Sequence, residues 1–471
     1  MDIKDLQDSN QNGAKADRGP LERFLSLFTP VGRHEGGTVL LMTLNIFLLM
    51  SAYYIIKPVR EALILASWGA EAKIYASAGQ ALLLLAVVPF YSWLANQLPR
   101  RRLITTVLVF FAVCLVGFYL LARTQVDLGI PFYLWVGIFN VMVVAQFWSF
   151  ANDIYTEDEG KRLFPLLGFG MSAGAVFGSF ITGKLIEPLG TFQLMLLSAL
   201  LLLASLLLTV AADRRKGSQA TPVDDIPGVQ QDSGALSGEG GFSLVMKSRY
   251  LLLIAGMMIV ANLVNTTGEY VLGARVKADV EAAIAPVEQV VGEDVTDNDD
   301  LDARQRARED QVGRAIGRFY ADFFSVVNLV GLLAQLFLVS RLVRWLGVGR
   351  AIMVLPLVAL GGYAMIAVFP ILAVARWIKT AENATDYSLQ NTSRNMLFLP
   401  TSRDEKYKAK QVIDTFCVRI GDVSAALLVL VGTMVLHLTP GRFALINVAL
   451  AAAWLVLTVF IRRKHASLSS D

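Results

Sequence analysis

Apolar stretches of about 20 residues recur along all 471 residues, and each is long enough to cross a hydrocarbon core of about 30 Å as a helix. Inside a bilayer the backbone has no water to bond with, so a chain made of such stretches folds as helices packed on one another. At 55% hydrophobic and 17% charged residues, an ordinary soluble globule is excluded. The expected fold is an all-α membrane protein with twelve spans. They are predicted at about 38–60, 70–97, 103–122, 129–152, 164–186, 190–211, 247–272, 313–343, 350–368, 370–395, 411–437 and 441–461.

The polar segments between these spans divide the chain. Residues 1–37 read as a cytoplasmic tail in which Leu21, Phe24, Leu25 and Phe28 form one face of a short interfacial helix. Residues 38–212 form a first six-helix half. Residues 213–246, rich in Gly, Ser, Pro and Asp, read as a flexible cytoplasmic linker. Residues 247–461 form the second half, with an acidic extracytoplasmic insert at 273–312, and 462–471 form a cytoplasmic tail. A faint repeat supports the division: Glu157 to Arg162 before the fifth span parallels Arg403 to Lys408 before the eleventh. Basic residues concentrate in one set of loops, which places the termini and the linker on the cytoplasmic side of a bacterial inner or plasma membrane. With no signal-peptide core before it, the first span is expected to direct insertion. Two six-helix halves joined by a linker resemble the major-facilitator layout, in which substrate lies between the halves near the midplane.

The tenth span is the unusual one. Arg376, Lys379, Asn383, Asp386, Gln390 and Arg394 fall within an arc of about 80° on a continuous helix. A charge at the bilayer centre costs at least about 2.5 to 3.5 kcal/mol, so this stripe must face protein or water. It reads as the wall of a solute pathway, with a soluble inter-domain loop as the alternative. Five other spans carry polar groups. Lys57 and Arg60, an i, i+3 pair beside Glu61, suit an anionic ligand, and membrane-edge anchoring is the competing reading. Asn262, Asn265, Thr266 and Glu269 share a face of the seventh span; helix-to-helix hydrogen bonding accounts for the amides but not for the carboxylate. Arg318 with Asp322, and Arg419 with Asp422, read as internal pairs. The fourth span ends Gln146 to Asp153, where Asn152 offers an amide.

Gly170, Gly174, Gly178 and Thr182 repeat every four residues in the fifth span, a small-residue pattern for close helix packing. No GxxxxGK[ST] phosphate loop is present. Cys114 and Cys417 lie in apolar spans, and His34, His437 and His465 are scattered without ligand spacing. Neither an acid–base pair nor a nucleophile triad is found outside the spans. No cofactor, metal or enzymatic activity is expected, and a formal charge of +3 gives no reason to expect nucleic acid.

Several of these stretches together resemble the ATP/ADP antiporter family of plastids and intracellular bacteria. Lys57-Pro58-Val59-Arg60-Glu61 is similar to its basic-x-x-Lys-Asp motif, and Phe147 to Asn152 to its FWxFAN stretch. Lys161 to Gly168 is similar to KRxYPLxG, and Tyr387-Ser388-Leu389 with Arg394 to Pro400 resembles YSLFDPTKEMAYIP. Lys408, Lys410, Asp414 and Arg419 continue the likeness. Arg60 stands where the family has Lys, Arg394-Asn395 where it has Lys-Glu, and the acidic residue of the fourth span is missing near Trp135. Arginine keeps the phosphate-binding charge but presents a planar fork. The resemblance implies alternating-access exchange of nucleotides or related phosphorylated anions in a lipid bilayer. Lys57, Arg60, Arg376, Lys379 and Arg394 would hold phosphates, and Asn152, Asn262 and Asn265 would contact base or ribose. Glu269 and Asp386 would balance the charge of the empty site, and Glu61 is a further candidate substrate-binding residue. A transporter of an unrelated solute and a non-transporting sensor are the alternative readings.

Overall fold

The computed structural model describes residues 32, 35–124, 126–219, 240–284, 298–402 and 404–470. The expected N-terminal interfacial helix and most of the linker lie outside them. Eleven helices among the described residues are long and apolar enough to cross a membrane. In the first half these are α1 (Glu35–Ser67), α2 (Gly69–Gln97), α3 (Arg100–Leu121), α4 (Gly129–Ile154), α5 (Glu157–Leu189) and α6 (Gln193–Gln219). The second half has α7 (Arg249–Ala283), α8 (Arg304–Leu346), α9 (Val348–Val368), α11 (Lys410–Met434) and α12 (Pro440–Ser470). Between α9 and α11 lies the polar helix of the tenth span, α10, running through 372–396 and packed against α7, α8 and α9.

Local chemistry explains the boundaries. Thr156 caps α5: its hydroxyl accepts from the Glu159 amide at 3.4 Å, while the Glu159 carboxylate accepts from the Thr156 amide at 2.8 Å. Gly190 and Gly347 end α5 and α8 at positive φ, a backbone shape that costs glycine nothing. α7 continues to Ala283 and the helix leading into α8 starts at Asn298, so most of the segment read as an insert is a continuation of two spans.

Helix α1 is the axis of the first half, in contact with α2, α4, α5 and α6, and it also touches α8 of the second half. The glycines of α5 let it approach. A Cβ at Gly170 would lie 2.7 Å from the Thr43 carbonyl oxygen, and one at Gly174 or Gly178 would strike the Phe47 or Ser51 carbonyl. The Thr182 hydroxyl continues this line to the Ile55 carbonyl at 3.5 Å. The four-residue spacing is thus a backbone-to-backbone packing face.

Across the halves, α1 and α5 pack on α8, and α2 packs on α7 and α11. Among the described residues four polar contacts tie the halves, three where α1 passes into α2 and one between α5 and α8. The Tyr270 hydroxyl donates to Glu71 at 2.9 Å and the Lys277 ammonium to the Ala66 carbonyl at 3.4 Å. Lys73 reaches Glu269 at 3.5 Å, and Arg318 reaches Glu187 at 3.6 Å. Arg318 therefore pairs across the interface rather than with Asp322 on its own helix. Arg419 and Asp422 do pair internally, at 3.0 Å.

Candidate functional site

The buried ionisable groups meet between the halves. A cavity of about 170 Å³ is lined by Lys57, Arg60 and Glu61 of α1, Lys73 of α2, Tyr133 of α4, Asn265, Thr266 and Glu269 of α7, Phe324 of α8, and Asn383 and Tyr387 of α10. A second cavity, of about 120 Å³, lies farther along α7 and α10 and shares Asn265. Asn262, Glu382, Asp386, Gln390 and Arg394 line it. Each is smaller than the roughly 300 Å³ of an ordinary small-molecule site, and the two together approach that size.

Most of the charges form one alternating chain. Arg60 pairs with Glu61 at 2.5 Å, Glu61 with Lys73 at 2.7 Å, and Lys73 with Glu269 at 3.5 Å. From Glu269 the chain continues to Lys379 at 3.6 Å and from Lys379 to Glu382 at 3.1 Å. The Tyr363 hydroxyl closes it, donating to Glu382 at 2.7 Å. Lys379 also donates to the Asn265 side-chain carbonyl at 3.0 Å, and Asn383 donates to Glu269 at 3.3 Å. Lys379 is fully buried and Glu382 nearly so. Each ion would carry a penalty of several kcal/mol if left alone, so these partners are what allow both charges to sit there.

Lys57 stands outside this chain. Among the described residues it has neither a carboxylate within ion-pair reach nor a hydrogen bond, although it is buried. Aromatic faces surround it instead: the ammonium lies 4.0 Å from the Phe324 ring centre, 5.0 Å from Tyr54 and 5.9 Å from Tyr53. A desolvated cation over an aromatic face gains about 2 kcal/mol, less than the several kcal/mol lost on burial. An anion in the cavity would supply the remainder. The Arg60 guanidinium, 4.5 Å from the Tyr133 ring centre, faces the same space. Counted together, Lys57, Arg60, Lys73 and Lys379 exceed Glu61, Glu269 and Glu382 by one positive charge.

The expected site residues separate into four groups. Lys57, Arg60, Glu61, Asn265 and Glu269 line the first cavity, and Asn262, Asp386 and Arg394 line the second with Asn265. Lys379 stands at the join, bound to Asn265 and Glu269. Arg376 and Asn152 line neither cavity. Arg376 lies over the Phe319 ring at 5.4 Å, and Asn152 is at the exposed end of α4, nineteen residues or about 28 Å along the helix from Tyr133.

Helix α10 does not follow a single stripe because its register changes. A π-helical turn at Asp386–Gln390 adds a residue to the repeat. Lys379, Asn383 and Tyr387 face the first cavity region, while Glu382 and Asp386 face the second, and the added residue keeps Gln390 and Arg394 on that second face. Sequence reasoning missed Lys73, Glu382, Tyr133 and Tyr363. Lys73 carried a usable signal, an ionisable residue inside a span. Glu382 did so less clearly, lying just off the arc defined by its neighbours.

Comparison with known proteins fits this arrangement. The model of the TLC ATP/ADP transporter family matches residues 15–123, 131–213 and 320–465, more than half of the chain. The chain belongs to that family. It is accordingly a multi-pass membrane transporter and not an enzyme. Its relatives include ADP,ATP carrier protein 1 of Chlamydia pneumoniae, 23% identical over 94% of each chain. The protein of the same name from Chlamydia trachomatis serovar D is 22% identical, covering 95% of this chain and 93% of the other. Among solved structures, the POT family transporter PepTSo superposes with a TM-score of 0.62 at 10% identity, over 92% of this chain and 98% of its own. The nucleoside transporter NupG does so with a TM-score of 0.58 at 13% identity, over 90% and 98%. The fold of this TLC family member is thus all-helical and major-facilitator-like.

Proposed function

We propose that the protein exchanges ATP and ADP, or closely related phosphorylated anions, across a bacterial inner membrane by alternating access, with its termini in the cytoplasm. The observation that carries this reading is Lys57, a buried ammonium with aromatic walls and no carboxylate partner among the described residues, opening onto a cavity between the halves of a TLC family transporter. A nucleotide phosphate completes its charge. Arg60 supplies a planar fork for a second phosphate oxygen, and Lys379 and Arg394 extend the positive path into the second cavity. The amides of Asn262 and Asn265 suit a base or ribose. Glu61, Glu269, Glu382 and Asp386 balance these cations when no substrate is bound.

Alternating access follows from the positions of the cross-half contacts. The closed end is held by Lys73, Glu71, Tyr270 and Lys277, and Lys73 and Glu269 belong both to this closure and to the cavity wall. An anion drawing Arg60 away from Glu61 changes the balance around Lys73. Substrate binding and opening of this end are therefore coupled through one carboxylate.

The test is counterflow in proteoliposomes. Vesicles loaded with ADP should accumulate labelled ATP, and Arg60→Gln or Arg394→Gln should abolish uptake while the protein still inserts. Undiminished uptake in either variant would sink the assignment of that residue, and uptake of unrelated anions with no competition by nucleotides would sink the substrate.

A further inference from the structure

A second group of charges lies away from this site, in a groove of about 370 Å³ between α5 and α8. Phe180, Gly183, Lys184 and Glu187 line one wall, and Arg318 and Asp322 line the other. All four charged side chains are exposed. On α5, Glu187 and Lys184 share an arc of about 80° with the exposed Phe180, Phe177 and Phe169. On α8, Arg318 and Asp322 share an arc of about 60° with the exposed Leu329 and Leu333. Each helix thus presents the bilayer with an apolar stripe topped by charges, and the two tops converge.

The depth of the groove is fixed by its neighbours. A Cβ at Gly317 would lie 3.2 Å from Ala62, five residues or about 8 Å short of the end of α1 at Ser67. For a span whose end lies at the bilayer surface, that is near the level at which phospholipid head groups meet acyl chains. Lys184, held 5.7 Å from the Phe180 ring centre, has a stem long enough to reach water from this depth. Asp322 has no such reach. Its carboxylate lies against α5, within 2.9 Å of where a Cβ on Gly183 would stand, and it has no ion pair or hydrogen bond among the described residues. Glu187 already faces Arg318 at 3.6 Å.

We propose that this groove binds one phospholipid carrying a primary ammonium, of the phosphatidylethanolamine type. The lipid phosphate lies between Lys184 and Arg318, the ammonium donates to Asp322, and the acyl chains run down the two apolar stripes. Because α5 and α8 belong to different halves, the bound lipid bridges them at the closed end and favours that closed state. A choline head group keeps the phosphate and the positive charge but has no N–H to give to Asp322.

The experiment is native mass spectrometry of the full-length protein released from vesicles holding equal amounts of phosphatidylethanolamine and phosphatidylcholine with identical chains. One charge-assisted hydrogen bond corresponds to a preference of about tenfold for the ethanolamine lipid on the wild-type protein. Asp322→Asn should remove that preference while total lipid retained stays the same. Lys184→Gln should lower retention of both lipids and leave their ratio unchanged. Equal retention of the two lipids by the wild-type protein, or an undiminished preference in Asp322→Asn, would overturn the proposal. Both variants are first checked for a single monodisperse species with a wild-type Tm.

Discussion

Among the buried cations of the described residues, the decisive contrast is between the two that have carboxylate partners and the one that lacks them. Lys73 and Lys379 are each held between carboxylates, whereas Lys57 has only Tyr53, Tyr54 and Phe324. The two kinds should respond differently to neutralisation. Lys57→Gln removes a charge that only substrate satisfies, so it should weaken nucleotide binding by about 10- to 100-fold and leave Tm unchanged or raised, because a buried unpaired ion is relieved. Lys379→Met leaves Glu382 and Glu269 without their common partner, and loss of a buried ion partner costs about 3 to 5 kcal/mol, read as a large fall in Tm. Equal effects of the two substitutions on Tm would contradict the distinction. Lys57 was legible in the sequence as an ionisable residue in a span. Its isolation was not, because the absence of a partner depends on which helices pack around it.

For single helices, two devices stand out, the glycine face of α5 and the π turn of α10. A methyl group at Gly174 must displace backbone of α1 near Phe47, which no side-chain rotation relieves. Gly174→Ala is therefore expected to destabilise the protein by about 1 to 3 kcal/mol, measured as a lower Tm, while Gly168→Ala, whose Cβ would meet nothing within 4 Å, should have little effect. The Gly170-xxx-Gly174-xxx-Gly178 spacing announced this contact plainly, since small residues at four-residue intervals have few other uses in a bilayer. The π turn at Asp386–Gln390 had no such signature. A constant 100° per residue carried the α10 stripe past it, so Gln390 and Arg394 were assigned to the face of Lys379 when they join Glu382 and Asp386 on a neighbouring cavity. The helical character and polar face of α10 were readable, but its change of register was not. Asn152 was misplaced for a related reason: a motif at the end of α4 says nothing about how far that end lies from the cavity.

Taken as one body, the molecule has a set of polar ties between its first and second six helices gathered near the start of α2. The hydropathy pattern announced the membrane spans, because a run of apolar residues long enough to cross a membrane has few alternatives. The closure, made by Glu71, Lys73, Tyr270 and Lys277, joins residues about 200 positions apart. No local pattern announces such pairs. If this end must open in each cycle, tethering Glu71→Cys to Tyr270→Cys with a short reducible bis-thiol reagent, in a background lacking Cys114 and Cys417, should stop counterflow, and reductant should restore it. Full counterflow in the tethered protein would show that this closure is not a moving gate.

The central claim is that the cavity around Lys57 receives nucleotide phosphate, and its most direct test is equilibrium binding of ATP and ADP to the purified protein in detergent. Binding to wild-type protein, weakened by about 10- to 100-fold in Lys57→Gln and unchanged in Asn152→Ala, which lies a helix length away, is the expected result. Unaltered nucleotide affinity in Lys57→Gln would contradict it.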